Sequence, residues 1–251
     1  MRNIETCISP ELIHLHDLTQ KTVVVVDIFR ASSTMVTALS NGVRCIKPLS
    51  DLDECRNYKN KNWLIAGERN GQQAEGFDLG NSPLSFLGNA FAGEKLAMTT
   101  TNGTRAISLA AADSEEILIG SFLNLQATVD YLQISDRDVL VLCAGWKGKF
   151  NIEDSLYAGA LSLTLGWKHD CDATLAMEAV FQQAGENLSL FLEKASHAKR
   201  LQNHQLEKDI DFCLELNRYN AVVHLDEGLL KVKPAAAKQR RLSPEGNSLQ
   251  S

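Results

Sequence analysis

The sequence has no long hydrophobic run: nothing in its 251 residues approaches the ~20 consecutive apolar residues that cross a bilayer. The opening MRNIETCISPELIHLHDL also lacks the apolar stretch of a secretory signal. Cysteine is sparse. The six (Cys7, Cys45, Cys55, Cys143, Cys171, Cys213) include no CxxC pair and are too dilute for a disulfide scaffold. Several sit in apolar runs such as VLVLCAG, where a reduced cysteine behaves as a small core residue. Positive charge is short too: 25 Lys+Arg against 31 Asp+Glu leave a formal net charge of −6, which argues against a broad basic surface for nucleic acid. These absences lead us to expect a soluble, cytoplasmic protein with neither membrane nor nucleic acid as partner. With 44% hydrophobic and 22% charged residues, the composition is that of an ordinary globular domain rather than a disordered or fibrous chain.

The familiar catalytic signatures are missing as well. There is no GxxxxGK[ST] phosphate loop, GxGxxG fingerprint, HExxH or GxSxG elbow. Cys143 has Lys149 six residues on, where a cysteine phosphatase needs arginine, and Asp27 has Phe29 two positions later, where a haloacid-dehalogenase nucleophile has a second acid. The six histidines (His14, His16, His169, His197, His204, His224) fall outside the glycine-rich loops and form no metal-ligand pattern, so they read as surface or core residues.

What is present is an alternation of short β-branched runs with helical patterns. Strands are expected at Thr22–Asp27, Val43–Lys47, Trp63–Ala66, Lys95–Thr99, Ile117–Ile119 and Asp138–Cys143. A hairpin is expected at Ala221–Leu225 and Leu229–Val232, turning on Asp226-Glu227-Gly228. Near-continuous apolar strands imply burial on both faces. Helices are expected at Ser33–Ser40, Thr104–Ala112, Asn124–Ile134 and Asp154–Leu165, the last with Asp154 as N-cap and Gly166 beyond its end. Ala173–Leu201 reads as mostly helical with a break at Gly185, and a further helix runs from Leu206 toward Asn217. This pattern specifies a layered α/β/α protein with a largely parallel or mixed sheet. One domain covers residues 1–233, and the polar, basic 234–251 reads as a mobile tail. A homodimer is compatible with this size.

Almost every polar, glycine-rich motif begins where an expected strand ends, the edge at which open α/β sheets collect their ligands. Strand one runs into Asp27-Ile28-Phe29-Arg30-Ala31-Ser32-Ser33-Thr34, and strand three into Gly67-Glu68-Arg69-Asn70-Gly71 and then Asn81-Ser82-Pro83. Strand four runs into Thr99-Thr100-Thr101-Asn102-Gly103-Thr104-Arg105, whose hydroxyls and helix-start amides suit a phosphate or sulfonate, with Arg105 adding a bidentate contact. The fifth ends in Ser121 through Asn124, and the sixth leads to Glu153-Asp154. Asp27, ending an apolar strand, reads as a metal ligand or catalytic acid. Together with Glu68, Glu153 and Asp154 it supplies the hard oxygens that suit Mg²⁺. Arg30, Arg69 and Arg105 beside these carboxylates suit a small anionic, phosphorylated substrate.

Taken together, VVVVDIFRASSTMVTALSNG, LIAGERNG, GFDLGNSP, TTTNGTRAI, GSFLNL and CAGWKGKFNIEDSLYAGAL resemble the 2-phosphosulfolactate phosphatases (the ComB family), from about Val23 to Gly159 and more weakly through Asp209–Cys213 to Gly228. The resemblance implies a ComB-like α/β fold and a Mg²⁺-dependent phosphatase that converts (2R)-2-phospho-3-sulfolactate to 3-sulfolactate and phosphate, a step in coenzyme M biosynthesis. For that reaction we expect Mg²⁺ on Asp27 with Glu153 or Asp154, Arg30 and Arg105 on the phosphoryl group, and Arg69 on the sulfonate or carboxylate. Asn81, Asn102 and Ser121 would add neutral hydrogen bonds. Attack by water and attack by a carboxylate, Asp27 foremost, both remain open. A phosphatase of another phosphorylated hydroxy acid and an anion-binding module without chemistry are the alternatives.

Overall fold

A computed structural model describes residues 2–202 and 206–234. Ten strands form one mixed, mostly parallel sheet: β1 (Ile4–Cys7), β2 (Thr22–Val26), β3 (Cys45–Leu49), β4 (Leu64–Arg69), β5 (Gln72–Gln73), β6 (Lys95–Thr99), β7 (Glu116–Gly120), β8 (Val139–Cys143), β9 (Val223–Asp226) and β10 (Leu229–Val232). Their order is β1-β8-β2-β7-β9-β10-β3-β6-β4-β5. The antiparallel hairpin β9–β10 therefore joins two parallel blocks, β1-β8-β2-β7 and β3-β6-β4. The hairpin turns on Glu227 and Gly228, both left-handed at φ +48° and +75°, the pair of conformations a tight two-residue turn needs.

Helices cover both faces. Alternation along β2 sends Val23 and Val25 to one side, where they pack with α1 (Ala31–Ser40) and α3 (Gly103–Ala110); Val24 and Val26 go to the other. There they meet α4 (Leu125–Ile134), α5 (Ile152–Leu165), α7 (Leu188–Leu192), α8 (Ser196–Gln202) and α9 (Glu207–Cys213). A smaller cluster buries Cys55 of α2 (Leu52–Asn57) against Leu49, Ile65 and Ala97. Helix α6 (Asp172–Ala184) lies on α5 at Gly159, where any Cβ would overlap the Met177 carbonyl.

The expected layered α/β architecture is present, with differences at the edges. Strand β1 has only four residues and pairs in parallel with β8. Helix α5 starts at Ile152 after Asn151, so Asp154 lies within its first turn and is not the N-cap. The helix expected toward Asn217 stops at Cys213, and Asn217 turns left-handed at φ +57°. Gly185 ends α6 as expected. No helix among the described residues is long and apolar enough to cross a membrane. The expected tail lies outside the described residues, apart from Pro234.

Candidate active site

The carboxyl ends of both parallel blocks converge on one cavity of about 380 Å³. Its wall is built from Asp27, Phe29 and Arg30 after β2, Glu68, Asn70 and Gly71 at the end of β4, Asn81 from the loop that follows, and Asn102 after β6. Trp146 and Lys147 after β8 and His197, Arg200 and Leu201 of α8 complete it. Although four strands (β7, β9, β10 and β3) lie between β2 and β6, the blocks meet there. A Cβ on Gly103 would lie 2.6 Å from the Ala31 Cβ and 2.9 Å from Asp27 Oδ2, so only glycine permits this approach.

Asp27 is shaped by the turn that follows β2. Its backbone carbonyl accepts from the Ser32 amide (2.9 Å) and hydroxyl (2.9 Å), while Oδ1 accepts a long 3.4 Å bond from the Ala31 amide. Among the described residues Oδ2 accepts no hydrogen bond. Asp27 is 5% exposed, and its pKa is pushed up to about 6, chiefly by burial. The charges of Glu68 and Glu153 add to the rise, and His197 opposes it. Glu153, fully buried in α5, has Oε1 2.6 Å from His197 Nδ1 and leaves Oε2 without a partner among the described residues.

The neighbouring Asp154 is spent on the backbone. Oδ1 accepts from the Ile28 amide (2.8 Å), and Oδ2 accepts from the Gly145 amide (3.1 Å) and Asn151 Nδ2 (2.9 Å). It thereby ties the loops after β2 and β8 to the start of α5. Burial and the charges of Asp27 and Glu153 push its carboxyl well above the usual range, against the pull of those donors. Glu68 plays a similar part: Oε1 accepts from the Thr101 amide (2.8 Å) and Oε2 from the Gly71 amide (2.9 Å), joining the loops after β4 and β6. Arg30 donates to Asp209 Oδ2 (2.6 Å) and to the Gly71 carbonyl (2.8 Å), with both charged side chains at most 4% exposed. Asp209 Oδ1 accepts in turn from Ser82 Oγ (2.7 Å).

Five of the residues singled out in the sequence line the cavity: Asp27, Arg30, Glu68, Asn81 and Asn102. Others support it from behind. Ser33 Oγ lies 2.9 Å from Ser121 Oγ, and Asn124 accepts from the Ser121 amide while donating to the Ile119 and Ala221 carbonyls. Thr100 and Thr104 cap one another at the start of α3, Thr34 Oγ1 donates to the Asn81 carbonyl over 3.4 Å, and Thr101 Oγ1 is buried without a partner among the described residues. Two arginines stand elsewhere. Arg69 donates to the Glu68 carbonyl (2.7 Å) and Thr99 Oγ1 (3.2 Å); Arg105 is 43% exposed and pairs with Glu11 at 2.8 Å.

Sequence reasoning missed the far wall. His197, taken there for a surface or core residue, lines the cavity from α8 with Phe29 and Trp146 around its ring. Arg200 was passed over because it sits in no glycine-rich loop and nothing in its local spacing marks it; Asp209 opens the weaker Asp209–Cys213 stretch of the resemblance but was given no role in the site. Trp146 and Lys147 lie inside a quoted motif, so an aromatic next to a cation after a strand end was the available signal.

A family model described as "2-phosphosulpholactate phosphatase" matches residues 7–228. A protein of Thermotoga petrophila named "Probable 2-phosphosulfolactate phosphatase" is 41% identical over 213 residues, covering 85% of this chain and 92% of its own. Proteins of the same name from a Picosynechococcus species and from Clostridium tetani are 34% and 32% identical, covering 83% and 91% of this chain and 90% and 100% of theirs.

Proposed function

The chain belongs to the 2-phosphosulfolactate phosphatase family of phosphoric monoester hydrolases, and from that premise we propose that its cavity hydrolyses (2R)-2-phospho-3-sulfolactate to 3-sulfolactate and phosphate with the help of Mg²⁺. The observation that carries this reading is Asp27: a buried carboxylate at a strand end, one oxygen without a hydrogen bond, among further acids that raise its pKa. Buried acids crowded together are costly unless a cation joins them.

The donor set suits Mg²⁺. Asp27 Oδ2, Glu153 Oε2 and Asn81 Oδ1 take no hydrogen bond among the described residues, and all are hard oxygens. Those residues contain no group of three His, Cys, Asp or Glu side chains that could close a metal cage. One or two carboxylates, with water and substrate oxygens completing the shell, is the arrangement Mg²⁺ prefers. Asp27 and Glu153 would hold it, Asp154 being occupied by three N–H donors. Bound there, Mg²⁺ would act as a Lewis acid on the phosphoryl oxygens and as a template.

The chain's own groups supply the rest. Arg30 is held by Asp209, which balances its charge, and by the Gly71 carbonyl, so it stands as a fixed part of the wall beside the phosphoryl group and needs no rearrangement. Asn102 uses Oδ1 to accept from the Lys147 amide (3.0 Å), which leaves its amide N–H groups as donors to substrate. Glu68 holds the loops after β4 and β6 at a fixed spacing. Water is excluded on one side by Phe29, Trp146 and Leu201. Attack on phosphorus is by water or by the Asp27 carboxylate itself, and a fast-quench search for phosphorylated enzyme separates the two. All six thiols are free and five are buried, which supports a reducing compartment such as the cytoplasm.

Phosphate release from 2-phosphosulfolactate, measured beside 2-phospholactate and phosphoglycolate, tests the assignment. Selective release from the sulfonate substrate is expected. Release from the other two alone would move the assignment to another hydroxy acid.

A further inference from the structure

The cavity wall carries two chemically different sets of groups. Asp27 and Glu68 are its carboxylates, beside which the phosphoryl group is proposed to bind. From α8 and the turn after β8 come Arg200, Trp146 and Lys147. The Arg200 guanidinium carbon lies 4.0 Å from the centre of the Trp146 ring, and Lys147 Nζ lies 5.3 Å from it. Neither cation makes an ion pair with any described residue. Arg200 Nη2 is buried without a hydrogen-bond partner among those residues. A donor left in that condition is costly, and a bound anion would supply its acceptor.

No other arginine identified from the sequence is available for this task. Both terminal nitrogens of Arg30 are already used, on Asp209 and on the Gly71 carbonyl. Arg69 is turned to the Glu68 carbonyl and Thr99, and Arg105 to Glu11. The platform under Arg200 is also fixed in advance. Trp146 and Lys149 exchange backbone hydrogen bonds of 2.8 and 3.0 Å around Lys147 and Gly148, which are left-handed at φ +49° and +77°. That is a tight turn of the type that closes hairpins. Ser9 Oγ donates to the Gly148 carbonyl (2.7 Å), and the Lys147 amide donates to Asn102 Oδ1, tying the turn to the loop after β6.

We propose that Arg200, stacked on Trp146 and assisted by Lys147, recognises the sulfonate of the substrate and so directs that end of the ligand toward α8. The inference rests on the phosphatase reading and deepens it. The sulfonate is a large anion carried on a methylene arm. An indole face with Phe29 and Leu201 beside it accepts the methylene, while a guanidinium offers two parallel N–H groups to two sulfonate oxygens. Arg200 is here a specificity-determining residue and takes no part in bond cleavage.

The test compares Arg200→Gln, Arg200→Lys and Lys147→Gln with the wild type in two arms. In the first, kcat/KM is measured on 2-phosphosulfolactate and on 2-phospholactate, which lacks only the sulfonate. Arg200→Gln should lower the ratio of the two by about 10- to 100-fold, the range for losing a charge-assisted hydrogen bond. Most of the loss should appear in KM. Arg200→Lys should recover part of the ratio, and Lys147→Gln, at an exposed position, should lower it by a smaller factor. In the second arm, the affinities of 3-sulfolactate and lactate are measured by titration, which requires no turnover. There the preference for sulfolactate should fall by a similar factor in Arg200→Gln. An equal loss on both substrates, or no loss on either, overturns the assignment of Arg200. Wild-type enzyme that turns over neither substrate fails the phosphatase reading instead, and the titration still decides whether Arg200 selects the sulfonate.

Discussion

Replacing Asp27 by Asn should inactivate the enzyme and stabilise the fold. Asp27 is 5% exposed and its pKa is pushed up to about 6 from an ordinary 3.8, with burial the largest cause. A carboxyl whose pKa is higher folded than unfolded binds its proton more tightly in the native state. Its contribution to stability is therefore greatest below 3.8, declines as pH rises through the interval from 3.8 to about 6, and stays low above it. At ~1.4 kcal/mol per pH unit, that interval makes ionised Asp27 cost on the order of 3 kcal/mol at neutral pH. Asn is nearly isosteric, can keep the weak bond from the Ala31 amide, and carries no charge. In EDTA at pH 7.5, Asp27→Asn should unfold later in urea by up to ~3 kcal/mol, with Tm higher by roughly 2–4 °C per kcal/mol for a chain of this size. Near pH 4 the difference should almost vanish. An Asn variant that is less stable than wild type at pH 7.5, or one whose advantage is the same at both pH values, would refute the reasoning. Functional sites commonly carry such a cost in stability.

Other parts of the site make separate predictions. Arg30→Met leaves Asp209 buried and uncompensated, so it should destabilise by about 3–5 kcal/mol in urea unfolding. Adding Asp209→Asn should recover part of that loss, whereas simple additivity of the two changes would show that the pair is not coupled. Gly103→Ala forces a Cβ against Ala31 and Asp27 Oδ2; about 1–3 kcal/mol of stability and at least tenfold in kcat should be lost, and normal values in both assays would contradict the close approach.

The sheet was legible because its inner strands announce themselves. TVVVV and VLVLC are continuous β-branched or apolar runs, buried on both faces, and no helix period competes with them. Strand β1, IETC, carries a polar residue at two of four positions and gives no such signal; pairing with β8 makes it a strand. The N-cap assigned to Asp154 failed for a related reason. A carboxylate near a helix start reads locally as a cap, but this one reaches across to amides on Ile28 and Gly145, contacts that only the assembled sheet creates.

The site divides along the same line. Asp27, Arg30, Glu68, Asn81 and Asn102 lie at or beyond the carboxyl ends of strands, and those ends of a parallel sheet share one edge, so sequence position alone brings them together. Arg69, the last residue of β4, and Arg105, beyond β6, share that edge too, yet lie outside the cavity wall, since strand position does not determine side-chain direction. Asp209 meets Arg30 across 179 positions, and His197 meets Glu153 across 44. Asp209 belongs to α9 and His197 to α8, and pairings of that range leave no mark in local spacing.

The central claim is that carboxylates at this cavity hold a divalent cation for phosphate ester hydrolysis. Phosphate release from (2R)-2-phospho-3-sulfolactate should be followed first with Mg²⁺, then with excess EDTA, then with Mg²⁺ restored, for wild type and Asp27→Asn in parallel. Wild-type release should stop with EDTA and return with Mg²⁺, and the variant should stay inactive throughout. Release that continues in EDTA, or an Asp27→Asn enzyme of near-normal rate, would contradict the claim.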